Sequence, residues 1–380
     1  MRPTVRCRGL RIICTASFLC ALPAVIAGCG DGDSGSSGST PSGMAVRQTN
    51  LVSDVTGAAT TDPNLVNAWG IARGPTTAFW VADNHAGVST LYNGAGHPFP
   101  AAQPLVVTVP PPAGSDPGTM SSPTGVVFND TSDFVITDGS TSGASAFIFS
   151  TEDGTISGWN LNVSAGAAIL TADNSAAGAI YKGLALASTA AGNFLYATNF
   201  HQGRVDVFDK AFAPASLAGT FADASIPAGF APFGIANVGG NLYVTYAKQD
   251  ENQEDDVKAP GNGYVDIFNA NGILMRRFAS QGALNSPWGV VVAPAGFGSL
   301  GNGILIGNFG DGRINAFNAS GQFLGALMNG QSPLSIDGLW GLSFGNGTNA
   351  GDANTLFFTA GPSDEAHGLF GSLQAAATGM

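Results

Sequence analysis

Ser286-Pro287-Trp288-Gly289-Val290 is one of six versions of a single glycine-centred phrase in this 380-residue chain. The others are Asn67-Ala68-Trp69-Gly70-Ile71, Ser122-Pro123-Thr124-Gly125-Val126, Tyr181-Lys182-Gly183-Leu184, Ala231-Pro232-Phe233-Gly234-Ile235 and Gly338-Leu339-Trp340-Gly341-Leu342. Their central glycines are spaced by 55, 58, 51, 55 and 52 residues. Six units at a near-constant period mean a ring or array of equivalent modules.

Each unit continues in the same way. A short apolar run follows the phrase: Phe79-Trp80-Val81, Phe134-Val135-Ile136, Phe194-Leu195-Tyr196, Leu242-Tyr243-Val244, Ile304-Leu305-Ile306 and Leu356-Phe357-Phe358. A third strand with apolar and polar residues alternating comes next, as in Gly203-Arg-Val-Asp-Val-Phe208 and Gly263-Tyr-Val-Asp-Ile-Phe268. Four units add a fourth, for example Ile273 to Ala279 and Phe323 to Met328. Asn271-Gly272, Asp311-Gly312 and Ser320-Gly321 supply tight turns between antiparallel strands. Four short strands per module around a ring predict an all-β, six-bladed β-propeller with four-stranded blades over residues 46–376.

The last unit shows only three strands, while Val46 to Val52 is a strand-like stretch with no blade of its own. It is expected to complete blade six and close the ring, hiding an edge that would otherwise template association. A chain with 54 glycines and 11% charged residues fits this turn-rich, all-β reading.

The first residues follow a different plan. Arg2, Arg6, Arg8 and Arg11 form a basic start, and Ile12 to Ile26 is an apolar run too short to span a membrane. It runs into Ile26-Ala27-Gly28-Cys29, which resembles the lipobox of a bacterial lipoprotein signal, with Ile26 where leucine is commonest. The resemblance implies a signal peptide over 1–29, lipidation of Cys29 and a protein of the cell envelope, facing the periplasm or outside. Ordinary cleavage and free secretion is the alternative. All four cysteines (Cys7, Cys14, Cys20 and Cys29) fall in this segment, so no disulfide is expected in the ring. Residues 30–45 read as a Gly/Ser-rich tether.

Charge narrows the partners. The whole chain carries a formal −12, and without the four leading arginines ten basic residues face 26 acidic ones, near −16. So acidic a surface disfavours nucleic acid, which needs basic grooves. It also disfavours anionic membranes, leaving the lipid as the only membrane contact expected. Cations or neutral ligands fit better.

In a propeller, the loops leading into each innermost strand share a face with those joining the second and third strands. The residue before each repeat glycine should therefore ring one channel mouth: Trp69, Thr124, Lys182, Phe233, Trp288 and Trp340. They either pack as inner core or form a collar able to stack on a sugar, ring or quaternary amine, with Lys182 gripping an anionic or carbonyl group. The second-to-third-strand loops are expected to bring Asp83, Asn84, His85, Asp138, Asn199, His201, Asn308 and Asp311 to that face. Blade six adds Asp364, Glu365 and His367, which could meet Asp83 and His85 as a metal or acid–base cluster. The plain alternative is that these side chains cap turns.

Blade four has an insertion there, Gln249-Asp250-Glu251-Asn252-Gln253-Glu254-Asp255-Asp256. Its clustered carboxylates make Asp250, Asp255 and Asp256, with Asp364 and Glu365, candidate ligands for Ca²⁺, or else a solvated acidic loop. The spacing does not match an EF-hand, and no nucleophile elbow, His-Glu-x-x-His or phosphate-binding loop occurs.

The recurrent Pro-x-Gly-Ile/Val phrase, its apolar strand and Gly203-Arg-Val-Asp-Val-Phe-Asp209 resemble the NHL repeat over residues 46–373. Asn67 to Ile71, Tyr246-Ala-Lys-Gln-Asp250 with Asp255-Asp256, Asn354 to Gly361, and Asp364-Glu365 with Gly368 to Gly371 resemble a family of exported bacterial propellers. The resemblance implies a six-bladed fold and no single activity, because NHL-type rings include binding modules, lyases and lactonases. Two functions stand: a ligand- or protein-binding module working through the channel mouth, and a metal-dependent hydrolase or lyase of the lactonase type.

Overall fold

The structure is a computed structural model and describes residues 43–376. The expected signal peptide, Cys29 and most of the tether lie outside the described residues. Within them the chain is a ring of antiparallel sheets.

It begins with β1 (Met44–Ser53) and the short β2 (Thr60–Thr61). Blade one is β3 (Ala68–Ala72), β4 (Phe79–Asp83), β5 (Val88–Tyr92) and β6 (Val106–Thr108). Blade two starts with β7 (Pro123–Phe128). It is then interrupted by a separate hairpin, β8 (Val135–Asp138) and β9 (Thr141–Ala144). It resumes with β10 (Phe147–Thr151), β11 (Thr155–Trp159) and β12 (Ile169–Asp173). Blade three has β13 (Tyr181–Thr189), β14 (Gly192–Asn199) and β15 (Arg204–Phe208). Blade four is β16 (Phe230–Val238), β17 (Asn241–Lys248), β18 (Tyr264–Asn269) and β19 (Leu274–Ser280). Blade five is β20 (Pro287–Val292), β21 (Ile304–Asn308), β22 (Ile314–Phe317) and β23 (Phe323–Asn329), edged by β24 (Ser332–Pro333). Blade six is β25 (Leu339–Phe344), β26 (Leu356–Ala360) and β27 (Leu369–Ala375).

The innermost strands β3, β7, β13, β16, β20 and β25 are neighbours in that order, and β25 lies beside β3, so the ring closes. Closure is by β1, which pairs antiparallel with β27 from Val46 opposite Ala375 to Ser53 opposite Leu369. Met44 and Ala45 also pair, in parallel, with Leu327 and Met328 of β23, joining blades five and six into one sheet. The expected closing strand is therefore present, and it latches two blades rather than one.

The repeat glycines are explained by how closely the inner strands approach. A Cβ on Gly289 would sit 2.8 Å from the Trp340 carbonyl oxygen, and one on Gly341 2.7 Å from that of Trp69. On Gly183 it would meet the Phe233 carbonyl at 3.1 Å. Each of these carbonyls belongs to the residue before the next blade's glycine. Second-strand hydroxyls bind the same junction: Thr198 Oγ1 accepts from Gly183 N–H at 2.7 Å and donates to the Phe233 carbonyl at 2.8 Å. Thr359 does the same between Gly341 N–H, at 2.9 Å, and the Trp69 carbonyl. Buried backbone groups at the channel wall are thus paired.

Blade two departs from the sequence reading. Phe134-Val135-Ile136 is not its second strand but leads into the inserted hairpin, whose Val135 is 52% exposed. The second strand is β10, which pairs with β7 and β11. The run looked right because it is apolar, but Phe134 and Ile136 are buried there against Phe212 and Ile148 in the packing between blades two and three.

Candidate functional site

The residues before the repeat glycines do converge, and most of them fill the channel. Trp69 stacks on Trp340 with ring centroids 3.7 Å apart, and Trp340 stacks on Phe309 at 3.8 Å. Phe233 packs on Trp340 at 5.7 Å and on Phe200 at 5.1 Å. Trp288 donates its indole N–H across the channel to the Lys182 carbonyl at 3.1 Å. This aromatic plug divides the channel into two separate hollows.

Above the plug is a cup of about 200 Å³, lined by Trp69, Lys182, Asp255, Asp256, Lys258, Phe309, Trp340, Asp364 and Glu365. Five blades contribute: Trp69, Lys182 and Trp340 from the starts of innermost strands, and Asp255, Asp256, Lys258, Phe309, Asp364 and Glu365 from loops. Below it, a larger hollow of about 600 Å³ is lined by four of the repeat glycines, aliphatic side chains, Phe128 and Trp288, with Ser188, Asn237 and Ser343. Its charged groups are Arg73 and Asp130, and Arg73 Nε is already committed to the Phe344 carbonyl at 2.6 Å. Sites for small molecules need a few converging polar groups in an apolar wall. The cup meets that description, whereas in the larger hollow Arg73, Ser188, Asn237 and Ser343 are bonded to neighbouring protein groups.

Lys182 stands at the centre of the cup's charge. Its side chain is 3% exposed and pairs with Glu152 of the β10–β11 loop and, at 3.4 Å, with Asp255. Its ammonium lies 5.2 Å from the Trp69 ring centroid and 5.9 Å from that of Phe200. Burial alone would lower the lysine's pKa, but the charges of Glu152, Asp255 and Glu365 outweigh it and hold the ammonium protonated. Glu152 is fixed in turn by Asn84 Nδ2 at 2.9 Å. Asn67 Nδ2 donates to Asn84 Oδ1 at 3.2 Å and to Glu365 Oε1 at 3.3 Å, linking the two carboxylates through one amide chain.

Glu365 is presented by an unusual turn. Ser363, Asp364 and Glu365 have φ of 61°, 52° and 64°, three consecutive side-chain-bearing residues in the left-handed region. That conformation costs on the order of 1–2 kcal/mol per residue and collects at functional sites. Burial pushes the Glu365 carboxyl above the usual carboxylate range, aided by Glu152 and opposed by Asn67, Lys182 and His85. Burial also raises Asp256 against a hydrogen bond from Ser286 and the pull of Lys258 and Lys182. Lys258 places its ammonium 4.0 Å from the Phe309 ring centroid.

Of the residues named on sequence, Trp69, Lys182, Trp340, Asp255, Asp256, Asp364 and Glu365 come together in the cup. Phe233 is buried in the plug, and Trp288 faces the far hollow, so neither lines the cup. Thr124 is buried and donates to the Tyr181 carbonyl at 2.8 Å. Asp250 turns back on its own loop, accepting from Glu254 N–H at 2.9 Å.

The expected cluster of blades one and six is corrected. Asp83 points into blade one, fully buried near Asp62 and Tyr92, where burial drives its pKa far up. His367 Nδ1 sits 2.8 Å from Asp54 Oδ2, on the outer side of blade six. Only His85 and Glu365 remain near each other. Asp138 lies on the inserted hairpin and not on the mouth, because the second strand of blade two is β10. Asn199 and Asp311 make local turn bonds, to Gln202 and Asn308 among others. Among the described residues, no group of three or more His, Cys, Asp or Glu is arranged to hold a metal ion.

Sequence reasoning missed Glu152, Lys258, Phe200 and Phe309. Glu152 was findable: Phe147-Ile-Phe-Ser-Thr151 and Thr155-Ile-Ser-Gly-Trp159 flank Glu152-Asp153-Gly154, a hairpin signal stronger than Phe134 to Ile136. Phe200 and Phe309 occupy the same place in their blades, each after the asparagine that ends the second strand.

Comparison with known proteins agrees with this architecture. The chain is 36% identical over 332 residues to uncharacterized protein R648 of Acanthamoeba polyphaga mimivirus, covering 85% of this chain and 78% of that protein. It belongs to the same family. Uncharacterized protein L690 of the same virus is 35% identical over 326 residues, with 83% of this chain and 82% of that protein covered. These relatives of the family are viral, whereas the sequence motifs resembled exported bacterial propellers. No family model matches. Among solved structures, a structural genomics protein of unknown function from Bacteroides thetaiotaomicron superposes with a TM-score of 0.52 at 11% identity, over 87% of this chain and 76% of that one. A regucalcin from Agrobacterium tumefaciens, described as calcium-binding, gives 0.48 at 13% identity over 83% and 92% of the two chains. A streptogramin B lyase gives 0.46 at 12% identity over 88% and 98%. At such identities the likeness concerns the fold alone.

Proposed function

We propose that the propeller is a binding module that captures a small molecule in the mouth cup, and that it works in the cell envelope, anchored through a lipid on Cys29. The observation that carries the binding role is the cup itself: residues from five blades meet over an aromatic plug, with charged groups at its wall. Lys182 is held protonated between carboxylates, which suits it to electrostatic positioning and not to nucleophilic attack. The anchoring reading draws on the basic start, the apolar run and the position of Cys29. Met44, where β1 begins, abuts Gly298 in the loop between β20 and β21, on the face opposite the cup.

A thermal-shift screen of the full-length protein against sugars, amino acids, amines and lactones tests the binding role. Hits should lose affinity when Trp340→Leu and Asp364→Asn are introduced. Hits that ignore both substitutions would place binding elsewhere. Incorporation of labelled palmitate, abolished in Cys29→Ser, tests the anchor.

Glu365 supports a second reading, hydrolysis or elimination in the same cup, because a carboxyl raised by burial suits a general acid. Turnover of any lactone in that screen, lost in Glu365→Gln with binding kept, would establish it.

A further inference from the structure

We infer that the cup selects a small organic amine, a specificity that rests on the binding role proposed above. Four carboxylates, Asp255, Asp256, Asp364 and Glu365, line it against two ammonium groups, Lys182 and Lys258. Lys182 balances them only in part, because it is shared between Asp255 and Glu152, a fifth carboxylate that lies outside the lining. The cup therefore presents an excess of negative charge over the faces of Trp69, Trp340 and Phe309. Carboxylates beside aromatic faces are the environment that stabilises an ammonium ion, through Coulomb attraction and the ring quadrupole together.

A metal ion is served less well by the same groups. Calcium takes six to eight oxygens at about 2.3–2.6 Å, whereas no three acidic or imidazole groups among the described residues converge. The carboxylates are distributed around an aromatic wall, at the scale of an organic molecule. The volume of about 200 Å³ limits that molecule to roughly the size of a monosaccharide or an amino acid. It is below the range of about 300–1,000 Å³ typical of drug-sized ligands.

The cup also contains unused bonding capacity. The indole N–H groups of Trp69 and Trp340, two residues of its lining, are buried without a hydrogen-bond partner. Buried polar groups are nearly always paired, so each marks a place where a partner is missing. Donors on the aromatic side and carboxylates on the acidic side suit a ligand with an oxygen acceptor and an ammonium group, as in an amino sugar or an amino alcohol.

The test pairs amines with neutral twins of equal size: glucosamine with glucose, and 4-aminobutanol with 1,4-butanediol. Each is titrated into the full-length protein by calorimetry, with indole fluorescence as the second readout. At least one amine should bind about tenfold tighter than its twin, the ratio expected from one desolvated cation contact. Asp364→Asn with Glu365→Gln should remove that advantage while leaving the thermal midpoint within a few degrees. A twin that binds as tightly as its amine, and loses affinity in Trp340→Leu, would overturn the amine preference and keep the binding role. Failure of both amines, while other hits of the screen remain sensitive to the cup substitutions, would do the same. A calcium-induced rise in stability, reversed by chelator and lost in Asp364→Asn, would replace the amine with a metal. Absence of any cup-sensitive ligand would remove both readings.

Discussion

The ammonium of Lys182, in blade three, is paired with the carboxylate of Glu152, in blade two, although the lysine side chain is 3% exposed and the glutamate 26%. The pair spans two blades and roofs the aromatic plug. Its two partners are not equivalent, because only the lysine depends on the other for its solvation.

That asymmetry predicts which substitution does more harm. Glu152→Gln leaves a buried ammonium with the exposed Asp255 at 3.4 Å and the charge of Glu365, and should cost about 3 kcal/mol, the lower part of the range for breaking a buried pair. Lys182→Met replaces the stem with an apolar chain against Trp69 and leaves a carboxylate that water still reaches, so about 1 kcal/mol is expected. Urea midpoints of the two variants decide it. A larger loss for Lys182→Met would mean the lysine acts mainly through its packing.

The repeat glycines make a second comparison. Gly289→Ala puts a methyl group 2.8 Å from the Trp340 carbonyl oxygen, on a backbone that cannot yield without moving blade six. About 1–3 kcal/mol of overpacking cost is expected. Gly166→Ala, with nothing within 4 Å of the added carbon, should be neutral or stabilise by up to about 1 kcal/mol through the unfolded chain. Equal effects at both sites, measured by chemical denaturation, would contradict the close-approach account of the repeat.

These glycines show why the ring was legible in sequence and the cup only partly so. A contact made six times by equivalent strands leaves a period, and a period can be read without knowing any neighbour. The cup is built once, from loops that differ between blades. Its residues at fixed distance from a glycine, Trp69, Lys182 and Trp340, were therefore found. Glu152 was lost when the inserted hairpin of blade two shifted the strand count. A contact distant in sequence explains the misplaced histidine: Asp54, in the segment after β1, competes for His367, and nothing in the local spacing announces it.

Blade four contains a titration that should be visible in stability. Asp266 is buried beside Arg277, and burial outweighs the hydrogen bond and charge of that arginine, so its pKa rises to about 6. A carboxyl with a raised native pKa binds its proton more tightly when folded. Its contribution is therefore greatest at low pH and is lost as pH rises from about 4 to about 6. Asp266→Asn should flatten the stability profile in that window, relative to the parent, by on the order of 2 kcal/mol. Asp223, whose pKa is lowered after its own hydrogen bonds and Arg277 overcome desolvation, acts below that window and is common to both proteins. Urea melts at pH 4.5, 5.5 and 6.5 supply the slopes, and parallel profiles would show that Asp266 titrates normally.

Closure by β1 carries the last prediction. The strand occupies the open edge of β27 over most of its length and reaches β23 with Met44 and Ala45. Val52 is fully buried in the cluster with Phe79, Phe357 and Phe370, so the strand contributes core as well as hydrogen bonds. Removing residues 44–53 would expose the β27 edge together with apolar surface, the combination that drives edge-to-edge association. The deletion should migrate as soluble oligomers or aggregates in size-exclusion chromatography. A synthetic peptide of residues 44–53, added during refolding, should restore the monomer by re-forming the same pairs. A deleted chain that remains monomeric and melts at the parent's temperature would show that the other blades close the ring without it.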